Sequence, residues 1–566
     1  MPIARTLVWL TLIAIAGCAP AAAPANQRQA APQPSQPKQL ILAAPRPVPG
    51  FGIWNINEAY GAPSVWNIHS NGLTTLDQSG AIVGRLAAAL PSIDDGSLVV
   101  SSDGTMRTTW RLRPNLKWHD GAPFTADDLA FGWQVNSDPA IPGERSAQAR
   151  SIDSVTATDP LTAVITWKTT FYRALQMDLR EFWPLPGHLL VDAVAQDKQG
   201  FQNLPYWTTE YVHLGPFRLA DYGLGQTLVF ERVDDYFLGR PKLDKIIIQV
   251  IGDANTVLTN VKAGAVDITT EQSMPPDLVL ALRDEWQQTR AGTAITRQGA
   301  MYYFKVQFDP QWASPPELSR DPRIRQALYM ALDRQGMRDI LFPGVPGTAT
   351  DTFVLDSDPR LPVVGKPFAR YPYDPTAAAQ RLAEAGWRSA GGRMLNQSGA
   401  PVELSVRASP PNAKEVSIAA SNWRQLGIDV SEEIDPPALA ANPEHRASFP
   451  SFTGAARGYG DLIFPNFDSR SIPMAQNRYT GQNLGAYTNP ALQRIIESLY
   501  GTMDPQSQAV LLRDAGEILA MDLPALPLYF RAEFMTVANG VRAVVDDYSA
   551  TQSGTIARHA HLWDRD

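Results

Sequence analysis

The segment from Ile246 to Ile268, IIIQVIGDANTVLTNVKAGAVDI, restricts the fold of this chain more than any other. Ile246 to Ile251 is a nearly continuous apolar run, the composition of a strand buried on both faces. Asp253 then stands where a helix cap belongs. Val257, Leu258 and Val261 share a face of the helix it would open, Gly264 closes that helix, and Val266 to Ile268 begins another strand. Strand, helix and strand in this order predict a parallel pair joined by a right-handed crossover, and therefore an α/β architecture with helices covering the sheet.

A second pattern runs from Leu98 to Trp133, LVVSSDGTMRTTWRLRPNLKWHDGAPFTADDLAFGW. The pairs Asp103-Gly104 and Asp120-Gly121 separate runs of β-branched and aromatic residues; glycine reaches positive φ without a Cβ clash, so both pairs predict tight turns in an antiparallel meander. Met106, Thr108, Trp110 and Leu112 alternate with Arg107, Thr109, Arg111 and Arg113, the period of a half-buried strand. Thr125 and Asp128 then form a capping pair for a helix that carries Leu129 and Trp133 one turn apart. Asp127 and Asp128 fall in the first turn of that helix, where the dipole favours carboxylates, so this acidic pair reads as structural.

In the second half, helices are expected to start at Asp321-Pro322, Asp374-Pro375, Asn489-Pro490 and Asp504-Pro505, each with a capping side chain and a proline of pre-set φ at the first helical position. The first would place Ile324, Ala327, Leu328, Ala331 and Leu332 on one face and stop at Gly336. Another helix, ending near Leu426 and Gly427, should pass into a strand at Ile428-Asp429-Val430.

The stretch WRLRPNLKWHDGAPFTADDLAFGW resembles the signature of extracellular solute-binding proteins of family 5, which serve peptide-type ABC importers and include oligopeptide-, dipeptide- and nickel-binding members. GPF at Gly215, GRPKLDKI, DANT and AGAVD resemble further family segments, as do RDPRIRQALYMALDR, YDPTAAAQRLAEAGW, WRQLGIDV and PALPLYF in order. His213-Leu214 departs from the small residues usual before the Gly-Pro turn. The resemblance implies a two-lobed periplasmic-binding-protein-like α/β fold, of type II in the large peptide-binding cluster, with an inserted β-rich subdomain. The implied division is 1–17 signal peptide, 18–50 tether, 51–82 and 206–300 and 531–566 lobe I, 83–205 inserted subdomain, and 301–530 lobe II. Ligand would lie between the lobes and be buried by hinge closure, with no bond broken.

In peptide-binding relatives an aspartate of a D-Y-P-D-P-like segment pairs with the peptide's amino group. The corresponding stretch here is RGYGDLIFPNF, which makes Asp461 the matching residue although the Pro-Asp-Pro continuation is missing. Otherwise Asp461 is a turn aspartate after Gly460. Tyr459 and Arg457 are candidates to line the cleft by stacking or by pairing with a carboxylate, followed by Trp66 and Tyr302. The turn-rich run from Asn477 to Pro490 would add to the rim.

The N-terminal region concerns location. Arg5 precedes an apolar run from Leu7 to Ala16, too short for a membrane span of ~20 residues and suited to a signal-peptide core. Ile15-Ala16-Gly17-Cys18 resembles a bacterial lipobox, so Cys18, the only cysteine, is the expected lipid attachment site; an ordinary signal peptide is the alternative. From Ala19 to Gly50 the Ala, Pro and Gln composition reads as a tether that, at ~3.1 Å per extended residue, spans several tens of ångströms. The protein is therefore expected outside the cytoplasm, lipid-anchored and monomeric, with a peptide-like solute, an ABC permease and ATPase, and the membrane as partners.

A formal charge of −8 argues against nucleic acid. There is no G-x-G-x-x-G, no Walker Lys-Ser/Thr loop, no G-x-S-x-G and no H-E-x-x-H, so no cofactor and no catalytic residue is assigned. The seven histidines are scattered, with His559 and His561 read as exposed, and no metal site is assigned. An oligosaccharide, an opine or a metal chelate would suit the same scaffold. A sensor handing a signal to a receptor would look identical, and a secreted hydrolase is the rival class, since 57 acidic residues supply carboxylate pairs by number alone.

Overall fold

A computed structural model describes residues 37–52, 62–77, 81–142, 147–179, 182–271, 273–544 and 556–566. Cys18, the signal peptide and residues 19–36 of the expected tether lie outside them. Residues from Lys38 to Asp566 make one compact unit.

The chain enters the fold with β1 (Gln39–Ala44), inside the segment expected to be tether. Leu40 and Leu42 are fully buried. The run Leu40-Ile41-Leu42 is a short apolar strand embedded in a Pro- and Ala-rich background, and the tether cannot extend to Gly50. After a short helix over Ala62–His69 and a two-stranded pair of Thr74–Leu76 with Ile82–Gly84 come β2 (Leu98–Val100), β3 (Met106–Arg111), helix α1 (Ala126–Ser137), β4 (Ile152–Asp159) and β5 (Thr162–Trp167); these four strands form a separate antiparallel sheet in the order β2-β3-β5-β4. Gly104 takes φ +84° in the β2–β3 turn, and Met106, Thr108, Trp110 and Leu112 are buried as expected from their alternation. Asp120-Gly121 also turns, but closes only an isolated bridge from Lys117 to Pro123 instead of a further strand pair.

The capping box of α1 is present: the Thr125 N–H donates to Asp128 Oδ2 at 2.9 Å. Asp128 also accepts from Trp118 Nε1 at 3.2 Å and from the Gly187 N–H at 3.0 Å, so it ties the helix to two neighbouring segments. Burial raises its pKa, with these hydrogen bonds opposing the shift.

Strands β6 (Phe217–Gly223), β7 (Thr227–Arg232), β8 (Lys245–Val250), β9 (Ile268–Thr269), β10 (Gly292–Val306), β11 (Glu403–Ala408), β12 (Asp429–Ile434), β13 (Phe452–Arg457) and β14 (Ala525–Ala538) complete a ten-stranded sheet with β1. Its order is β12-β11-β13-β10-β14-β9-β1-β8-β7-β6. Helix α2 (Ala254–Lys262), capped by Asp253 through the Thr256 N–H at 2.8 Å, joins β8 to β9. These two strands are not neighbours: β1 lies between them, parallel to both. Only Ile246 and Ile248 of β8 are fully buried; the alternate side chains are half-buried, so the strand is less enclosed than its apolar run suggests.

All four proline-marked helices form, namely α3 (Pro322–Met330), α4 (Pro375–Glu384), α5 (Pro490–Gly501) and α6 (Pro505–Asp522), each with its Asp or Asn side chain accepting from the first turn. The first does not stop at Gly336. It ends near Ala331, and a new helix over Arg334–Leu341 starts, with Asp333 as cap accepting from the Gly336 N–H at 2.9 Å.

Among the described residues, buried apolar side chains gather in three cores. One lies under the four-stranded sheet around Trp110, Trp118, Trp167 and Phe171. A second surrounds Leu40, Leu42, Trp66, Trp207 and Ile246, and the largest surrounds Tyr302, Phe304, Leu328, Trp423 and Leu526. The two halves of the large sheet meet at β10 and β14, which pair from Gly292–Ala538 to Lys305–Ala525 with slips between Gln298 and Met301 and between Tyr302 and Tyr303. Among the described residues, no helix is long and apolar enough to cross a membrane.

Candidate ligand-binding site

Strand β13 ends at Arg457, opposite Met301 of β10, and the chain turns through Gly458 and Tyr459 into a 3-10 helix over Gly460–Asn466. Gly460 takes φ +60°, where a side chain would be strained, and its N–H donates to the Phe353 carbonyl at 2.7 Å. A Cβ there would lie 3.1 Å from Arg360 Nη2, so glycine also lets that guanidinium approach.

Asp461 follows. Its Oδ1 accepts from Arg360 Nη1 at 3.4 Å, and its Oδ2 accepts from the Tyr172 hydroxyl. Arg360 simultaneously grips Asp358, through Nε at 3.0 Å and Nη2 at 2.8 Å. The three charged side chains are between 11% and 19% exposed, and two carboxylates with one guanidinium leave one net negative charge. Burial works against the charged form of Arg360, but its bonds to Asp358 and the charge of Asp461 outweigh burial and raise its pKa. Burial, then the Asp461 charge, pushes the Tyr172 phenol well above the ordinary range, so it is a neutral donor at any working pH.

Tyr172 reaches Asp461 from the segment after β5. Its backbone N–H donates to the Tyr500 carbonyl near the end of α5 at 2.8 Å, and the two rings stack with centroids 6.0 Å apart and planes at 11°. Phe171 sits in the core under the four-stranded sheet, 6.1 Å from the Tyr500 ring. The contact thus joins the segment that follows the four-stranded sheet to α5 and to the Asp461 turn.

Of the residues picked from sequence, Tyr459 and Asp461 lie together. Tyr459 is largely buried, edge-on to Phe530 at 5.9 Å. The Arg457 side chain is outside the described residues. Trp66 is 7% exposed, on a helix over Ala62–His69, and meets Trp183 edge-on at 5.5 Å in a core. Tyr302 is fully buried under the Arg531 guanidinium, 4.7 Å from its ring centroid. The run from Asn477 to Pro490 folds as turns around Asn483, which is buried and bonded to Asp468 and Tyr487 carbonyls. His561, expected to be exposed, is buried 5.5 Å from the Tyr236 ring, because the 3-10 segment Ile556–Leu562 turns its side chain inward. Among the described residues no group of three His, Cys, Asp or Glu side chains is placed to hold a metal ion.

Tyr172, Asp358, Arg360 and Tyr500 were not found by sequence reasoning. For one pair a signal exists: Asp358-Pro359-Arg360 repeats the Asp321-Pro322-Arg323 arrangement, in which the arginine also folds back on the aspartate two residues earlier. The arrangement is one of paired charges and fixed donors.

The sequence pattern of "Bacterial extracellular solute-binding proteins, family 5 Middle" matches residues 82–463. The Oligopeptide-binding protein AppA of Bacillus subtilis (strain 168) is 24% identical over 444 residues, 77% of each chain. Among solved structures, the oligopeptide binding protein from Thermus thermophilus complexed with a pentapeptide superposes with a TM-score of 0.76 at 21% identity, over 93% of this chain and 96% of that one. NikZ from Campylobacter jejuni in complex with Ni(L-His) gives 0.74 at 18% identity, over 93% and 99%. Likeness at these identities establishes the two-lobed fold, and the family pattern extends over more than half of the residues. The chain belongs to the bacterial extracellular solute-binding proteins of family 5.

Proposed function

We propose that this protein is the lipid-anchored, extracytoplasmic substrate-binding component of an ABC importer, which captures a peptide-like solute between its lobes by hinge closure and delivers it to a membrane permease. The lobes would be bounded as 38–82, 206–300 and 531–566 against 301–530, with 83–205 inserted, and β10 and β14 would act as the hinge. One observation carries the reading: a net negative cluster at Asp461 lies where the inserted sheet meets the other half of the molecule. A peptide amino group is the donor that such a cluster favours. AppA is named as oligopeptide-binding and the Thermus protein holds a pentapeptide; peptides are carried to this chain as its ligand class on that ground. Cys18 would carry the lipid.

Thermal unfolding of the chain from Lys38 onward, refolded from denaturant and challenged with pools of di- to octapeptides, sugars and nickel chelates, tests the assignment. Ligand at 100 times its dissociation constant adds ~2.7 kcal/mol of stability, enough to move the midpoint visibly. Peptide pools should shift it and their N-acetylated forms should not. A shift with chelates or sugars alone would remove the peptide assignment and leave the binding scaffold. Hydrolysis of any pool member would replace the binding reading with the rival one.

A further inference from the structure

We propose that Tyr172 is a built-in competitor for ligand at Asp461: its hydroxyl donates to the carboxylate oxygen that a ligand's donor takes, and ligand binds by exchanging with it. The inference rests on the reading above that Asp461 contacts ligand, and it goes further in naming what ligand must displace and which ligand chemistry can do so.

The two oxygens of Asp461 have partners of different kinds. Oδ1 is held by Arg360, which is itself anchored by both oxygens of Asp358, only two residues away in the chain. Oδ2 is held by Tyr172, 289 residues away in the segment that follows β5 of the four-stranded sheet. Any motion that parts the inserted sheet from the Asp461 segment therefore frees Oδ2 and leaves Oδ1 paired. Because the Asp461 side chain is only 13% exposed, a ligand donor reaches Oδ2 by taking the hydroxyl's place.

Tyr172 is preset for this position. Thr170 is tied to the β2–β3 turn by its N–H to the Gly104 carbonyl at 2.7 Å, Phe171 is buried, and the Tyr172 N–H and ring are both engaged by Tyr500. The hydroxyl thus binds without the ordering cost a free ligand meets. Yet it is uncharged, so it does not offset the surplus of one negative charge among Asp358, Arg360 and Asp461 themselves. An ammonium or guanidinium cancels that charge and a neutral amide does not. Competition with a neutral phenol therefore selects for cationic donors: weak neutral ligands lose to the protein's own side chain.

The test is Tyr172→Phe in the full chain in detergent, which keeps the ring stack and removes one hydroxyl. Amide hydrogen exchange without added ligand is followed around residues 168–175 and 496–503, and calorimetry compares pentaalanine with N-acetyl-pentaalanine. Exchange in both segments should quicken several-fold. The dissociation constant for pentaalanine should fall about tenfold, the worth of one charge-assisted hydrogen bond, and the preference over the acetylated peptide should narrow. Weaker pentaalanine binding in the variant would make Tyr172 a ligand contact and overturn the proposal. Unchanged exchange would overturn it whatever binds. Quickened exchange with no peptide binding in either protein would support the clasp and remove the peptide assignment instead.

Discussion

Arg297 and Glu533 stand opposite each other on β10 and β14, with Nη2 2.8 Å from Oε2, one residue before the pairing of these strands slips at Gln298. Glu271 pairs with the same guanidinium, and all three side chains are about one-tenth exposed. Two carboxylates share one cation at the point where the halves of the sheet join. Gly299 makes room, since a Cβ there would sit 2.2 Å from the Glu533 side chain.

Removing the cation should cost far more than removing one anion. Arg297→Met leaves two buried carboxylates facing each other and is expected to cost roughly 3–5 kcal/mol. Glu533→Gln leaves the Arg297–Glu271 pair intact. Burial, with the Glu271 charge added and Arg297 opposing, raises the Glu533 pKa above the usual 4.5. The folded state therefore holds that proton more tightly than the unfolded chain. This contribution is fully present below pH 4.5 and is lost as pH rises through the raised value. Urea unfolding of the two proteins should show wild type gaining on Glu533→Gln as pH is lowered from neutral; a constant difference would disprove the linkage.

Three histidines act in the opposite direction. Burial holds His69 at about 3, with His119 adding to the shift, and holds His119 at about 4. Burial also lowers His561 to about 4. An unfolded chain protonates these groups near 6.5, so their contribution is present above 6.5 and is lost as pH falls toward the folded values. Each should cost roughly 1.4 kcal/mol per pH unit across that window. Melting midpoints between pH 7 and 4.5 should fall steeply, and His119→Gln should flatten the slope even if its midpoint at pH 7 is lower. An equal slope in the variant would place the acid sensitivity elsewhere.

Gly336 gives a substitution whose sign is unusual. Within a helix, Gly→Ala ordinarily stabilises by up to ~1 kcal/mol. Here the new Cβ would lie 2.3 Å from an Asp333 carboxylate oxygen, and that carboxylate caps the helix through the Gly336 N–H. Gly336→Ala should therefore destabilise by about 1 kcal/mol, the worth of the displaced cap. A higher urea midpoint would mean that Asp333 caps from another rotamer.

Gly336 also shows which parts of the fold are legible in sequence. Local chemistry reads well: Asp-Pro and Asn-Pro marked four helix starts, Thr125 and Asp128 a capping box, and Met106 to Leu112 a buried strand face. A glycine serving a side-chain cap looks the same as one ending a helix, because its partner Asp333 carries both meanings. Pairings between distant residues leave no local trace. Nothing in the β8–α2–β9 stretch shows that β1 lies between its strands, and nothing near Asp461 marks Tyr172. The match to family segments led to Asp461; the side chains that hold it became visible only in three dimensions.

The N-terminal boundary offers the last test. Composition from Ala19 to Gly50 is uniform enough to read as one tether, yet Gln39–Ala44 is an interior strand, with all six residues paired to Lys245–Val250 and Leu42 and Ala43 also paired to Ile268 and Thr269. The Lys38 N–H bonds to Asp244 at 2.7 Å, one residue before the strand. A chain starting at Lys38 should melt like the full-length protein within the error of the measurement. A chain starting at Phe51 loses Leu40, Leu42 and Val48 from a core and opens two sheet edges in the middle of the sheet, a deficit well beyond a marginal stability of ~5–15 kcal/mol. It should be insoluble or lack a cooperative transition by circular dichroism. If both chains melt cooperatively at the same temperature, β1 is dispensable and the sheet closes β8 directly against β9, the adjacency that the strand, helix and strand order alone suggests.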